Sequence, residues 1–323
     1  MKGYNRNFIK GFNVPLPRLS KSLSTQKAQL KNGYEIRYMH HSILMHEKRK
    51  FAILCASNID GTSWKPIPRK GNFVKDSLNL TEDLQLGDEL YDAIKSVKNG
   101  RENDFDQGHL ISYQEILWGN DQEKQQAARD TFYFTNCVPQ HSRLNKGAWK
   151  SLEQYILRTQ TDDKNLLVSV ITGPVLLDDD PYFIHKIDGN IIRIPCTFWK
   201  VIYYKGVNGL TCVGFMMSHK KLLLNDKSVV FDVKEIKADI LKLPAKEKLF
   251  MDFKQAGTFQ VSIELIKKIC GLGFKTKGVH FPYESKEPVK IIFKRIEILK
   301  MRSLKNDLIK NQPLGFEIQG LTL

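Results

Sequence analysis

The chain has 323 residues, 41% hydrophobic and 26% charged, which is the balance of a globular protein with a core and argues against a disordered or fibrous chain. Fifty Lys and Arg against 35 Asp and Glu leave a net charge of +15, which favours a polyanionic partner, nucleic acid before an anionic membrane surface. The five cysteines stand apart with no CxxC spacing; this argues against a disulfide framework or a Cys-rich zinc site and fits a reducing compartment.

Residues 1–33 are basic and polar, with Pro15 and Pro17, and read as an arm packed on the domain or leading into it. The first dozen residues show no apolar h-region, so no signal peptide is visible. The longest nearly apolar run, 166–177, contains Ser169, Thr172, Gly173 and Pro174 and falls short of the roughly 20 residues that span a bilayer. The expectation is no membrane partner and a cytoplasmic protein by default, with delivery by another route left open.

Stretches 34–44 and 50–58 alternate and carry β-formers, and predict a strand pair joined near 46–49. Asp60-Gly61 marks a turn. Residues 63–80 are irregular and hold Lys65, Arg69, Lys70 and Lys75, either a solvated basic loop or a grip on phosphate. A short helix is expected within 84–99, ended by Asn99-Gly100. Residues 121–129 are polar helix formers, 130–136 read as a strand, and 148–159 read as a helix. The continuous apolar run at 167–176 predicts a buried strand. Asp178, Asp179 and Asp180 are read as a solvated turn in preference to a cation site. Strands at 191–204 and 210–218 flank a hairpin turn at 206–209. A helix at 259–269 capped by Gly271 and a strand at 289–298 complete the pattern. No repeat or long linker divides the chain, so the expectation is one α+β domain.

Within the helix from Ala148, at roughly 100° per residue, Trp149, Leu152, Ile156 and Leu157 form an apolar stripe and Glu153 falls inside it. A carboxylate on a buried stripe must be paired, protonated or near a metal. Asn145, about two turns earlier, projects onto the same face if the helix reaches back that far. The two can share a cation or its waters; alternatively Glu153 pairs with Lys150 or Arg158. His109 follows Gly108 and precedes Leu110-Ile111. A lone His is more often structural, but phosphodiester hydrolysis needs a base, a cation and positive charge, and His109, Asn145 with Glu153, and the basic residues supply these types. Cys137 and His141 have zinc-like spacing but no further ligand pair nearby, so Cys137 is expected in the core.

Asp106-Gln107-Gly108-His109, then Thr131, Phe132, Asn136, Pro139, Gln140, Leu144, Asn145, Gly147, Trp149, Leu152 and Glu153, follow one pattern. Thr172-Gly173-Pro174-Val175 and Ile194-Pro195 with Phe198-Trp199-Lys200-Val201-Ile202 extend it. Together they resemble the ββα-metal DNA/RNA non-specific endonucleases, the family that includes endonuclease G and related bacterial nucleases. The resemblance covers roughly residues 34–275 and leaves 276–323 as a C-terminal extension, expected to pack on the same domain. It implies an α+β, ββα-metal (His-Me finger) fold, with a mixed or antiparallel central sheet flanked by helices.

The resemblance implies that His109 is the general base and that Asn145 directly ligates one Mg²⁺, for which Mn²⁺ can substitute. Glu153 would hold metal-bound water, with Asp106, Gln107, Asn136 and Gln140 as supporting residues. The implied activity is sequence-nonspecific cleavage of DNA and RNA through contacts to the phosphate backbone. Two departures stand out. Gln107 replaces the motif's Arg, which leaves a catalytically weakened nucleic-acid-binding protein as the alternative. The transition-state arginines are not cleanly placed, and Arg69 (with Lys70 as rival) and Arg158 are the candidates. An active nuclease without an export signal also suggests an inhibitor or cognate regulatory partner. Oligomeric state is open.

Overall fold

The computed structural model describes residues 2–92, 105–157, 166–223, 229–230, 257–295 and 316–319. Strand β1 (Arg18–Leu19) and the single turn α1 (Lys21–Ser24) lead into β2 (Ile36–Tyr38), β3 (His41–Met45) and β4 (Ala52–Asp60). A middle segment holds α2 (Asp88–Asp92), β5 (Phe105–His109), α3 (Asp121–Asp130), β6 (Cys137–His141) and α4 (Lys150–Gln154). After it come β7 (Leu167–Val175), β8 (Tyr182–Phe183), β9 (Thr197–Gly206), β10 (Gly209–Ser218), α5 (Lys220–Leu223) and β11 (Val229–Val230). The described chain ends with β12 (Gly257–Val261), α6 (Ile263–Cys270), β13 (Leu272–Gly273), β14 (Val289–Arg295) and β15 (Phe316–Gln319).

Nine of these strands form one antiparallel sheet in the order β15-β14-β12-β10-β9-β7-β4-β3-β2. Its two faces are read off the pleat, because successive side chains on a strand point to opposite sides. On β9, Phe198 and Ile202 enter the core beneath the middle segment, while Trp199, Val201 and Tyr203 enter a second core on the other face. That second core is closed by Ile9 and Val14 of the N-terminal arm and by Ile263 and Ile266 of α6. The first core carries β5, β6 and α4, so the sheet is the floor on which the candidate site residues stand.

Local chemistry sets the element ends. Asn120 and Glu123 form a reciprocal capping box at the start of α3. Ser262 caps α6 and Gly271 closes it in the left-handed region, φ 64°. Since the chain turns at Ser262, residues 259–261 belong to β12, and the helix expected from 259 begins at Ile263. The strand expected over 34–44 is broken by a turn at Met39-His40, where His40 has φ 66°. The strand expected over 130–136 is a turn followed by a 3₁₀ turn, Phe134–Asn136, and the strand starts at Cys137. The strand expected from 191 begins at Thr197.

Of the three consecutive aspartates, Asp178 and Asp179 are exposed, whereas Asp180 is buried and paired with Arg49 at 2.6 Å. The short helix expected within 84–99 is seen as α2; residues 93–99 of that expectation, and residues 296–298 of the strand expected over 289–298, lie outside the described residues. No helix among the described residues is long and apolar enough to cross a membrane.

Candidate active site

Strands β5 and β6 form a two-stranded antiparallel ribbon in which His109 faces Cys137 and Asp106 faces Gln140. The ribbon tolerates Pro139 because its outer edge needs no ladder donor there. Gly108 lets the strands close: a Cβ at this position would stand 2.5 Å from Gln140 Oε1 and 2.6 Å from its Cγ and Cδ. Both polar atoms of that Gln140 side chain are buried without a hydrogen-bond partner. Asn136 secures the segment that follows His109. Its Oδ1 accepts from Ile111 N at 2.9 Å, and its Nδ2 donates to Ile111 O at 3.0 Å and to Thr131 O at 3.1 Å. A buried amide that makes three bonds substitutes for a missing strand partner.

The chain enters α4 through a wide π-type turn, Leu144–Trp149, a form that concentrates at functional sites. Trp149, Leu152, Ile156 and Leu157 are buried, as the stripe predicts. Asn145 and Glu153 are left on the cleft side. The Asn145 amide donates to Asp106 Oδ2 at 3.0 Å, and Lys146 pairs with Asp106 Oδ1 at 3.0 Å, so Asp106 ties the helix entry to β5. Glu153 Oε1 accepts from the Trp149 indole at 2.6 Å and lies 3.8 Å from Lys200 Nζ.

His109, Asn145 and Glu153 line one cleft of about 640 Å³. Arg69, Gln107, Ser112, Tyr113, Lys146 and Lys150 line it as well. Arg69 reaches it from the irregular basic stretch and lies 5.4 Å from the Phe132 ring centre, while the rival Lys70 does not line it. Asp106, Asn136 and Gln140 stand behind the lining, and Arg158 lies outside the described residues. Among the described residues no group of three His, Cys, Asp or Glu converges in a metal-binding arrangement. Cys137 is buried and its sulfur lies 3.1 Å from the Tyr91 hydroxyl, which places it in the core as expected.

Residues 20–279 match the family model of the DNA/RNA non-specific endonucleases. The chain belongs to this family. The protein y4fB of Sinorhizobium fredii is 35% identical over 235 residues, 69% of this chain and 33% of its own. Human mitochondrial endonuclease G is 34% identical over 115 residues, 34% of this chain and 36% of its own. The chain thus matches about a third of the length of each of these curated relatives. A crystal structure of an EndoG/EndoGI complex aligns with 76% of this chain and 89% of that chain, at TM-score 0.49 and 18% identity.

In this member of the non-specific endonuclease family the cleft's electrostatics follow from burial. The His109 ring is packed between Phe73, 4.6 Å away, and Phe132, 5.2 Å away. Burial, with the Arg69 charge in the same direction, lowers its pKa to about 3; this keeps the imidazole neutral at ordinary pH, with a ring nitrogen lone pair free, but leaves it a weaker base than the near-neutral value suited to general-base catalysis. Burial raises Glu153 to about 7; Lys200 opposes the shift and Glu115 adds to it. Gln107 donates to Asp88 Oδ1 at 2.8 Å, so the residue that stands where the motif carries Arg is tied to α2.

Lys200 stands out in the sequence only as part of a motif, and Glu115 carries no local signal there. Both are fully buried, and Lys200 Nζ is 3.0 Å from Glu115 Oε1. A lysine in the middle of Phe198-Trp199-Lys200-Val201-Ile202 is the signal that could have found it, since lysine is almost never fully buried unless paired.

Proposed function

We propose that the chain is a Mg²⁺-dependent, sequence-nonspecific endonuclease that hydrolyses phosphodiester bonds in DNA and RNA. The observation that carries the reading is the convergence of His109, Asn145, Glu153 and Arg69 on one cleft. The ribbon of β5 and β6 followed by α4 is then the ββα-metal unit. The family description and the +15 charge support a nucleic-acid substrate. Contacts limited to phosphate and sugar would carry no direct sequence information.

The donor set fits a hard cation: an amide oxygen at Asn145 and a carboxylate at Glu153, with no imidazole or thiolate cluster beside them among the described residues. Asn145 would hold Mg²⁺ directly and Glu153 would hold it through water. When bound, the cation would hold the phosphate and stabilise the leaving oxygen. Asp106 accepts from the Asn145 amide nitrogen, which turns the amide oxygen away from Asp106 and leaves it free to serve as a ligand. His109, held neutral, takes the proton from the attacking water. Arg69 offers its guanidinium to the charge that develops on the phosphate.

The test is digestion of supercoiled plasmid and of a structured RNA with Mg²⁺, with EDTA, and with His109→Ala. Cleavage should require Mg²⁺ and fall in the variant by about 10²-fold or more. Full activity in His109→Ala would remove the base assignment. Binding that shifts DNA in a gel while leaving it uncut across Mg²⁺ and Mn²⁺ would favour the alternative of a binding protein weakened at Gln107.

A further inference from the structure

Lys200 lies in the middle of β9 on the face that carries Phe198 and Ile202, directly beneath the cleft. Its ammonium stands 3.0 Å from Glu115 Oε1 and 3.8 Å from Glu153 Oε1. Lys200 and Glu115 side chains are both 0% exposed, and Glu153 is 14% exposed. The Trp149 ring centre is 5.1 Å from the same ammonium, and its indole N–H donates to the same Glu153 oxygen.

A buried ion pair is a poor device for stability, because the cost of taking both charges out of water offsets their attraction. This pair is also incompletely satisfied, since Glu115 Oε2 is buried with no hydrogen-bond partner. An apolar residue on β9 would serve the core without that cost. What the arrangement does achieve is seen at Glu153: one oxygen is held from two sides, by the indole and by the ammonium. The ammonium sits closer to Glu115, so Glu115 takes up most of its charge and leaves the Glu153 carboxylate available to the cleft.

We propose that Lys200 is a positioning residue for Glu153. With Trp149 it fixes the carboxylate at the cleft wall, while Glu115 anchors Lys200 and stops it from neutralising Glu153. The proposal rests on the reading of Glu153 as the carboxylate on the cation side of the site.

When all three groups are ionised, Glu115, Lys200 and Glu153 carry a net charge of −1. The double variant Glu115→Gln/Lys200→Met keeps that net charge, removes the buried pair together, and leaves Glu153 with the Trp149 indole but without the ammonium. Mn²⁺ binding to the full chain without nucleic acid, read from the EPR signal of free Mn²⁺, is measured beside Tm. The double variant should keep a Tm close to that of the parent and bind Mn²⁺ about tenfold or more weakly, the loss typical of removing an outer partner. Glu115→Gln alone preserves an oxygen acceptor for Lys200 and raises the local charge to zero; it should also weaken Mn²⁺ binding, by severalfold. It serves as the deciding variant if the double variant does not fold. Parental Mn²⁺ binding in whichever folded variant is measured would overturn the proposal while leaving the site reading intact. A parent that binds no Mn²⁺ would overturn both.

Discussion

Asn145 donates its side-chain amide to Asp106 Oδ2 across 3.0 Å, joining the entry of the helix to β5. This contact orients the amide, since a carboxylate can only accept. Asp106→Ala should free the amide to rotate and present either its oxygen or its nitrogen to the cleft. Outer partners of a metal ligand are typically worth about 10- to 100-fold. Cleavage should fall by that amount, and the Mg²⁺ concentration for half-maximal rate should rise. DNA affinity measured in EDTA should not fall with it, because Asp106 carries negative charge. An unchanged Mg²⁺ dependence would show that Asp106 matters only to Lys146.

Gln107 lines the cleft with a neutral side chain bonded to Asp88. Gln107→Arg should add a cation beside the phosphate path and keep a partner in Asp88. Each phosphate neutralised steepens the salt dependence of duplex binding by about 0.9 in log-log slope. Anisotropy titrations of a labelled duplex over a range of NaCl should therefore show a slope steeper by up to about one, with tighter binding at low salt. An unaltered slope would mean that position 107 does not meet the backbone.

The two sides of the site differed in how much of them could be read from sequence. The stripe of Trp149, Leu152, Ile156 and Leu157 places Glu153 inside the apolar face, because helical period alone fixes the face, and the side chain is 14% exposed there. The ends of β6 were less legible. Thr131, Phe132, Tyr133 and Phe134 are β-formers and Pro139 is a breaker, so local propensity moved the predicted strand to 130–136. Tertiary context overrides both: Asn136 ties the turn to Ile111, and Pro139 lies at the edge of a two-stranded ribbon. Periodicity compares neighbours on one helix, so the alternative partners it offers Glu153 are Lys150 and Arg158; Arg158 lies outside the described residues, and a cation beside Glu153 comes instead from Lys200, on a strand of the sheet. No local pattern reports a contact across that separation.

Five histidines are held neutral by burial: His40, His41 and His46 with pKa lowered to about 4, and His109 and His219 lowered to about 3. The unfolded chain takes up these protons near 6.5, about the ordinary histidine value. Between that pH and the folded values the unfolded state binds more protons, so stability is full above about 7 and is lost as pH falls. Glu153, raised to about 7, acts in the opposite sense, as do Asp130 and Asp180, whose carboxyls burial raises. For His41 the shift from 6.5 to about 4 corresponds to a loss on the order of 3 kcal/mol below both values. Urea midpoints should fall steeply from pH 6.5 to 4, and less steeply in His41→Asn. An equal pH slope in the variant would count against burial of a neutral His41.

Gly108 and Gln140 stand diagonally across the ribbon, so close that they should behave as one unit. A methyl at 108 would stand 2.5 Å from Gln140 Oε1 and 2.6 Å from Cγ. Because Cγ is near the backbone, rotation of the amide does not relieve the contact. Gly108→Ala should therefore cost about 1–3 kcal/mol as overpacking. Gln140→Ala removes the obstacle together with two buried polar atoms that have no hydrogen-bond partner, so its own cost should be smaller than the loss of a large buried side chain implies. In Gly108→Ala/Gln140→Ala the added methyl occupies space vacated across the ribbon. The double variant should be more stable than the sum of the single costs allows, by about 1 kcal/mol or more, within the range seen for residues in contact. Urea unfolding of the four proteins gives that coupling directly. Additive costs would mean that β5 and β6 separate to accept the methyl. In that case His109, which ends β5 opposite Cys137, should shift with them, and Gly108→Ala should lose cleavage out of proportion to its loss of stability.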